Sequence, residues 1–152
     1  MDTRVRLVPA QWQHINRIAS NMRAIDAEEC RAMGREPKYA LRAAFMTSEK
    51  AWTALVDGVP HAMFGVVVES LLDRIGTPWF LGTDEVYRHA REMIQWGPGI
   101  LSRMGDSSRK LTNLVSSRND RAIRLLRKWG FSVATDEVIV RGVAFQQFER
   151  IG

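Results

Sequence analysis

Chemistry needs side chains that move protons, bind phosphate or attack carbonyl carbon, and this chain offers few in a useful pattern. In GTDEVYRHAREM, Gly82 to Met93, an apolar strand end runs into a helical pattern. The N–H groups at such a junction bind phosphate, above all where glycines allow close approach. No glycine follows Gly82 in this segment, and Asp84 and Glu85 sit where an anion would arrive. Carboxylates there suit the helix dipole but repel a pyrophosphate. Plain capping by Thr83 or Asp84 is the simpler reading. Thr83 and Arg88, aided by Arg91, are the residues here able to donate to a phosphate. Side chains able to act as a general base are equally scarce. Glu69 falls at a strand end and His61 beside a hairpin, while His14 and His89 lie in helical patterns. Cys30 is the single cysteine, so an internal disulfide is excluded and no cysteine metal cluster can form. A lone thiol of this kind reads as a small buried hydrophobe.

The elements that would carry these residues follow from periodicity and punctuation. RVRLV alternates and stops at Pro9, as a strand does. Trp12, Ile15, Ile18, Ala19 and Met22 recur at helical spacing, which predicts a helix from Pro9 or Ala10 to about Arg23. Asp26 then reads as an N-cap with Glu29 completing a capping box, and this short helix stops near Gly34. EPKYALRAAFMTS is a further helix with Pro37 in its first turn. AWTALVDG and VPHAMFGVVVES flank Asp57-Gly58, a strong hairpin signal. TPWFLGTD is a strand opened by Pro78. A helix from about Asp84 to Gln95 is then interrupted by WGPG, Trp96 to Gly99. KLTNLVSS is a strand, and Asn119 caps a helix that Gly130 ends. Ala122, Leu125, Leu126 and Trp129 form its inner face, and Arg121, Arg124 and Lys128 point away. Two strands joined near Arg141-Gly142 close the chain. The order is β-α-α-β-β-β-α-β-α-β-β. It specifies one mixed α/β domain over residues 1–152 with helices on both faces of the sheet.

With 45% hydrophobic and 26% charged residues, the composition is that of an ordinary globular protein. The longest apolar run, Met63 to Val68, falls far short of the roughly 20 residues that span a membrane. The N-terminus lacks the apolar stretch of a signal peptide, so the protein is expected to stay in the cytoplasm. Net charge is +5, and between Arg103 and Lys128 eight basic residues face only Asp106 and Asp120. Such a stretch suits the phosphates of a cofactor or nucleic acid, or it is simply a solvated helix face.

The element order and the segment NDRAIRLLRKWGF resemble the GNAT superfamily, the Gcn5-related N-acetyltransferases. Asn119, Ala122, Gly130 and Phe131 match the family's last helix residue by residue. Each also has a structural role as cap, close contact, left-handed terminus and core residue, so they argue for a fold more than an activity. The resemblance implies an acyl-CoA N-acyltransferase fold. In an active member it implies acetyl-CoA, touched here by Thr83, Arg88 and Asn119. It also implies a general-acid tyrosine in the middle of the last helix, where this chain has Leu126, which neither donates nor accepts a proton. The family's Arg/Gln-x-x-Gly-x-Gly/Ala loop is missing from Thr83 to Arg88. No residue is therefore assigned a catalytic role, and a GNAT-like domain without ordinary acetyl-CoA chemistry is expected.

IDAEECRAMGREP, TPWFLGTDEVYRHAREM and NLVSSRNDRAIRLLRKWGFSV are together similar to a narrower group. These are the GNAT-like proteins of the internal virion protein A type in short-tailed bacteriophages. That likeness implies a phage or prophage protein, made in the host bacterial cytoplasm and associated with virion assembly or the particle. Its partners would be virion or host proteins, with no metal, no bound cofactor and no membrane span. Candidate contact surfaces are the basic stretch and the early helices bearing Arg31 and Arg35. The alternative is an active acetyl-CoA-dependent N-acetyltransferase acting on a host protein or small amine. Nucleic-acid binding rests on charge alone, without aromatic residues interleaved for base stacking. Homo-oligomer formation stays open. A gap between the strands flanking the cofactor cleft would separate these readings: open with free N–H groups for the enzyme, plugged by Tyr87, Trp79 or Leu126 for the binding module.

Overall fold

The first strand, β1 (Val5–Pro9), pairs antiparallel with β2 (Lys50–Val56), and β2 with β3 (Val59–Ser70), in a computed structural model that describes residues 4–152. The β2–β3 turn has positive φ at both Asp57 (50°) and Gly58 (81°), the geometry that matches strand twist in a two-residue hairpin. β4 (Ile75–Gly82), β5 (Lys110–Ser116), β6 (Ser132–Val140) and β7 (Val143–Ile151) complete one seven-stranded sheet in the order β1-β2-β3-β4-β5-β7-β6. All neighbours are antiparallel except β4 and β5. That parallel pair is bonded only at Ile75↔Lys110 and Gly76↔Leu111, and the two strands then part.

Helices cover both faces. On one face lie a 3-10 turn (Trp12–His14), α1 (Ile15–Ser20) and α3 (Pro37–Thr47). Their apolar positions Ile15, Ile18 and Leu41 close over Met63, with Phe45, Trp79 and Leu81 beside them. Burying side chains of that size stabilises by about 1.5–3 kcal/mol each. On the other face, α4 (Ala90–Met104) and α5 (Asp120–Lys128) pack on the larger core around Phe64, Val66, Leu111, Phe131 and Phe148. α2 (Ala24–Ala32) lies against α3 and β5.

Several expectations need correcting. Three α-helices lie between the first two strands, as the segment-by-segment reading has them and one more than the order β-α-α-β counts. The long helix expected up to Arg23 stops at Ser20, because the chain there turns aside to join the sheet. Met22 bridges Thr83, and Arg23 N donates to Gly82 O at 2.9 Å. Asp26 is therefore not an N-cap but lies inside α2, whose cap position is Arg23. Glu29 does not close a capping box; its carboxylate leaves the helix for β5 and α5. Residues Asp84–His89 are a 3-10 helix that precedes α4. α4 runs straight through Pro98. The missing N–H orphans only the carbonyl of Ile94, on the exposed side of the helix, so the cost falls where water can meet it. Pro78 does not open β4 but sits within it, facing the gap, where no ladder partner asks for its N–H. Asn119 does cap α5, accepting from Ala122 N, and Gly130 takes the left-handed φ of 89° that ends it.

Candidate functional site

β4 presents alternate residues to the opening, and Pro78, Phe80 and Gly82 follow Gly76 along that edge. Pro78 has no N–H, and its carbonyl accepts from Asn113 Nδ2 at 2.8 Å, a side chain reaching across from β5. Both backbone groups of Gly82 are taken: its N–H donates to Asp26 Oδ2 at 3.0 Å, and its carbonyl accepts from Arg23 N. Phe80 is thus the one residue between them, among the described residues, whose N–H and C=O are left for a ligand in the gap.

The side chains that close the C-terminal end of this edge form one buried network. Arg23, only 8% exposed, donates from Nη1 to Asp26 Oδ1 at 3.1 Å and from Nη2 to Asn119 Oδ1 at 3.3 Å. Its guanidinium lies 4.1 Å from the centroid of the Tyr87 ring, whose edge meets Phe80. Glu29 Oε1 accepts from Ser116 N at 3.1 Å and from Asn119 Nδ2 at 2.9 Å. Asp26 pairs directly with the guanidinium, whose Nε also lies 3.9 Å from the exposed Asp84, while Glu29 is joined to it only through Asn119. Burial pushes Asp26 up to about 6, against the pull of Arg23 and the Gly82 N–H. Burial, and then the charge of Asp26, push Glu29 up to about 7. Burial, helped by the same two acids, pushes the Cys30 thiol up to about 12, so it is an unreactive packing residue. Tyr87 is also raised by burial, which keeps its phenol neutral.

Beyond the network the gap opens into a cavity of about 550 Å³ that passes from one face of the sheet to the other. Ala40, Ala44 and Trp79 line it on the α3 side, and Leu125, Leu126 and Trp129 on the α5 side. The polar end of Trp79 is anchored away from the opening, donating to Ser48 Oγ at 2.7 Å. Tyr87 and Leu126 both line this cavity.

The residues expected to meet a cofactor all have internal partners. Thr83 is buried, its N–H donating to His61 O at 2.8 Å and its Oγ1 2.7 Å from His61 Nδ1. Burial lowers the pKa of His61 and so favours the neutral ring. Arg88 is exposed and paired with Glu85 at 2.6 Å. Asn119 belongs to the network. Glu69 accepts from Thr77 Oγ1 at 3.0 Å at the surface. Sequence reasoning missed Arg23, Asp26, Glu29 and Ser116 as a unit. The signal was there: positions 23, 26 and 29 repeat every three residues and share a helix stripe, a spacing that also suits capping. Among the described residues no group of His, Cys, Asp and Glu is placed to hold a metal, and no helix is long and apolar enough to cross a membrane.

This fold, with its parallel β4–β5 pair that parts after two bonded positions, is similar to those of solved acetyltransferases. A Gcn5-related N-acetyltransferase from Kribbella flavida superposes with a TM-score of 0.66 at 16% identity, covering 97% of each chain. Ard1 from Thermoplasma volcanium gives 0.72 at 14% identity, again over 97% of each. The chain has the GNAT fold. An aminoglycoside acetyltransferase in complex with coenzyme A gives a TM-score of 0.68 at 14% identity, over 97% of this chain and 95% of that one. No family model and no curated protein matches the sequence. At such identities the likeness establishes the GNAT fold, and function rests on the residues of the gap.

Those residues do not fit an acyl-CoA whose arm would enter between β4 and β5. Gly82, at the end of the edge, has both groups committed inside the protein. Asp84 and Glu85 occupy the first turn of the 3-10 helix that follows β4, and no glycine opens that turn.

Proposed function

We propose that this GNAT-fold chain works by binding a partner and not by acetyl transfer. One observation carries the proposal: Asp26 and Arg23 occupy the N–H and C=O of Gly82, so the β4 edge is laced shut at the end a cofactor would approach. Leu126 in place of a proton donor, and acids without glycine at Asp84 and Glu85, support the same reading. The three sequence stretches that resemble short-tailed phage proteins meet in this network, through Asp26 and Glu29, Gly82 and Tyr87, and Ser116 and Asn119. That convergence supports a phage or prophage protein, virion-associated or acting in assembly, with virion or host proteins as partners. Titration calorimetry with acetyl-CoA and with coenzyme A tests the first part, and micromolar binding overturns it. Mass spectrometry of purified particles and assembly intermediates tests the second, and absence from both counts against a structural role.

A second reading has one observation in its favour. The cavity passes through the sheet, so a donor on the α5 side and an amine on the α3 side could meet. An active N-acetyltransferase would then draw on Thr83, Arg88 and Asn119 for its cofactor. Acetyl-CoA turnover against bacterial lysate separates the two.

A further inference from the structure

α5 exposes Arg121, Arg124, Arg127 and Lys128, while Ile123 and Leu125 bury its opposite face. The helical turn sets Arg121, Arg124 and Lys128 in one stripe. None of the four makes an ion pair among the described residues. The acids on the elements around them are Asp120, Glu92 on α4, and Asp136 and Glu137 on β6, and none is bonded to the stripe. Of the other cations of the basic stretch, Lys110 pairs with Glu149 and Arg118 with Glu28, while Arg103 and Arg109 are exposed away from α5. α5 thus carries the densest group of unpaired charge in that stretch.

The spacing points to a partner. At 1.5 Å per residue, the stripe from Arg121 to Lys128 rises about 10 Å. One strand of duplex DNA sets a phosphate every 3.4 Å along its axis, so about three phosphates fall within that length. The ring nearest the stripe, Trp129, is turned inward, its Nε1 donating to Met93 O at 3.0 Å, so the face has cations but no platform for unpaired bases.

We propose that α5 is a sequence-independent contact for the phosphate backbone of duplex DNA. The test is fluorescence anisotropy of the full chain with a labelled random-sequence duplex over roughly 50 to 200 mM salt. Three phosphate contacts give a slope of log affinity against log salt of about −3. R121Q/R124Q/K128Q lowers low-salt affinity at least about tenfold and flattens the slope, with an unchanged melting curve, since these side chains are exposed. K38Q/R42Q, altering exposed cations on α3, leaves both unchanged. The proposal fails if the wild type shows no binding at low salt, or if affinity and slope survive the triple substitution. Displacement of the duplex by equimolar coenzyme A also overturns it, because the site would then belong to a small phosphate ligand. Equal affinity for polyglutamate overturns it in favour of an acidic protein surface.

Discussion

Replacing Glu29 with Gln should stabilise this protein in mild alkali, the reverse of the usual loss when a buried polar residue is changed. Gln keeps an oxygen to accept from Ser116 N and Asn119 Nδ2, and it removes a buried carboxylate that stands beside Asp26 without an ion-pair partner of its own among the described residues. Burial raises Glu29 from 4.5 to about 7, so the folded state binds this proton more tightly than the unfolded chain does. Its contribution to stability is therefore full below the unfolded value and is lost as pH rises toward about 7. A shift of that size corresponds to about 3 kcal/mol at pH 8, as an order of magnitude. Asp26, raised from 3.8 to about 6, loses stability in the same direction. At roughly 2–4 °C per kcal/mol for a chain of this size, E29Q should melt about 6–12 °C above wild type at pH 8. The difference should shrink below about 0.5 kcal/mol near pH 4.5, where the wild-type carboxyl is protonated in the folded state and about half protonated in the unfolded one. Urea denaturation of both proteins at the two pH values measures this directly. If E29Q is the weaker protein at pH 8, or the difference does not change with pH, the carboxylate is a favourable ionised partner and the picture of an overcharged network is wrong.

Asn119→Ala removes the α5 cap together with the partner of Arg23 and Glu29. The loss should exceed the roughly 1 kcal/mol of an ordinary cap, reaching about 2–4 kcal/mol in urea denaturation, and a value near 1 would mean the buried contacts carry nothing. Gly97→Ala would drive a Cβ into the Trp129 ring at Cδ1 and press α4 off α5. A cost of about 1–3 kcal/mol is expected, largely recovered with a smaller residue at 129, and a neutral result would show that the helix pair is loose. Cys30 should resist thiol reagents at pH 8 until the protein unfolds, because its thiol is pushed up to about 12; labelling at the rate of a free thiol in the native state contradicts this. Leu126→Tyr should produce no acetyl-CoA turnover, since the added phenol leaves Gly82 occupied, whereas measurable turnover would favour the enzyme.

Local features of the chain decided most of the elements. Alternation placed β1, apolar runs flanking Asp57-Gly58 placed β2 and β3, Asp57-Gly58 and Arg141-Gly142 set two turns with positive φ, and Asn119 and Gly130 bounded α5. Each signal acts over a few residues, so it survives whatever the rest of the fold does. The element order was enough to expect the GNAT fold. Three features depended on residues distant in sequence. α1 ends early because Met22 and Arg23 find partners at Gly82 and Thr83, and no local pattern announces that. Asp26 and Glu29 carry the spacing of a capping box, yet burial against β4, β5 and α5 gave them better acceptors' work elsewhere. Pro98 stays in α4 because its face is exposed, which periodicity around a proline does not reveal. Whether a carboxyl keeps its proton, or an arginine stays unpaired, depends on which charges fold against it. Only the tertiary structure sets those distances, and with them the state of the gap on which function turns.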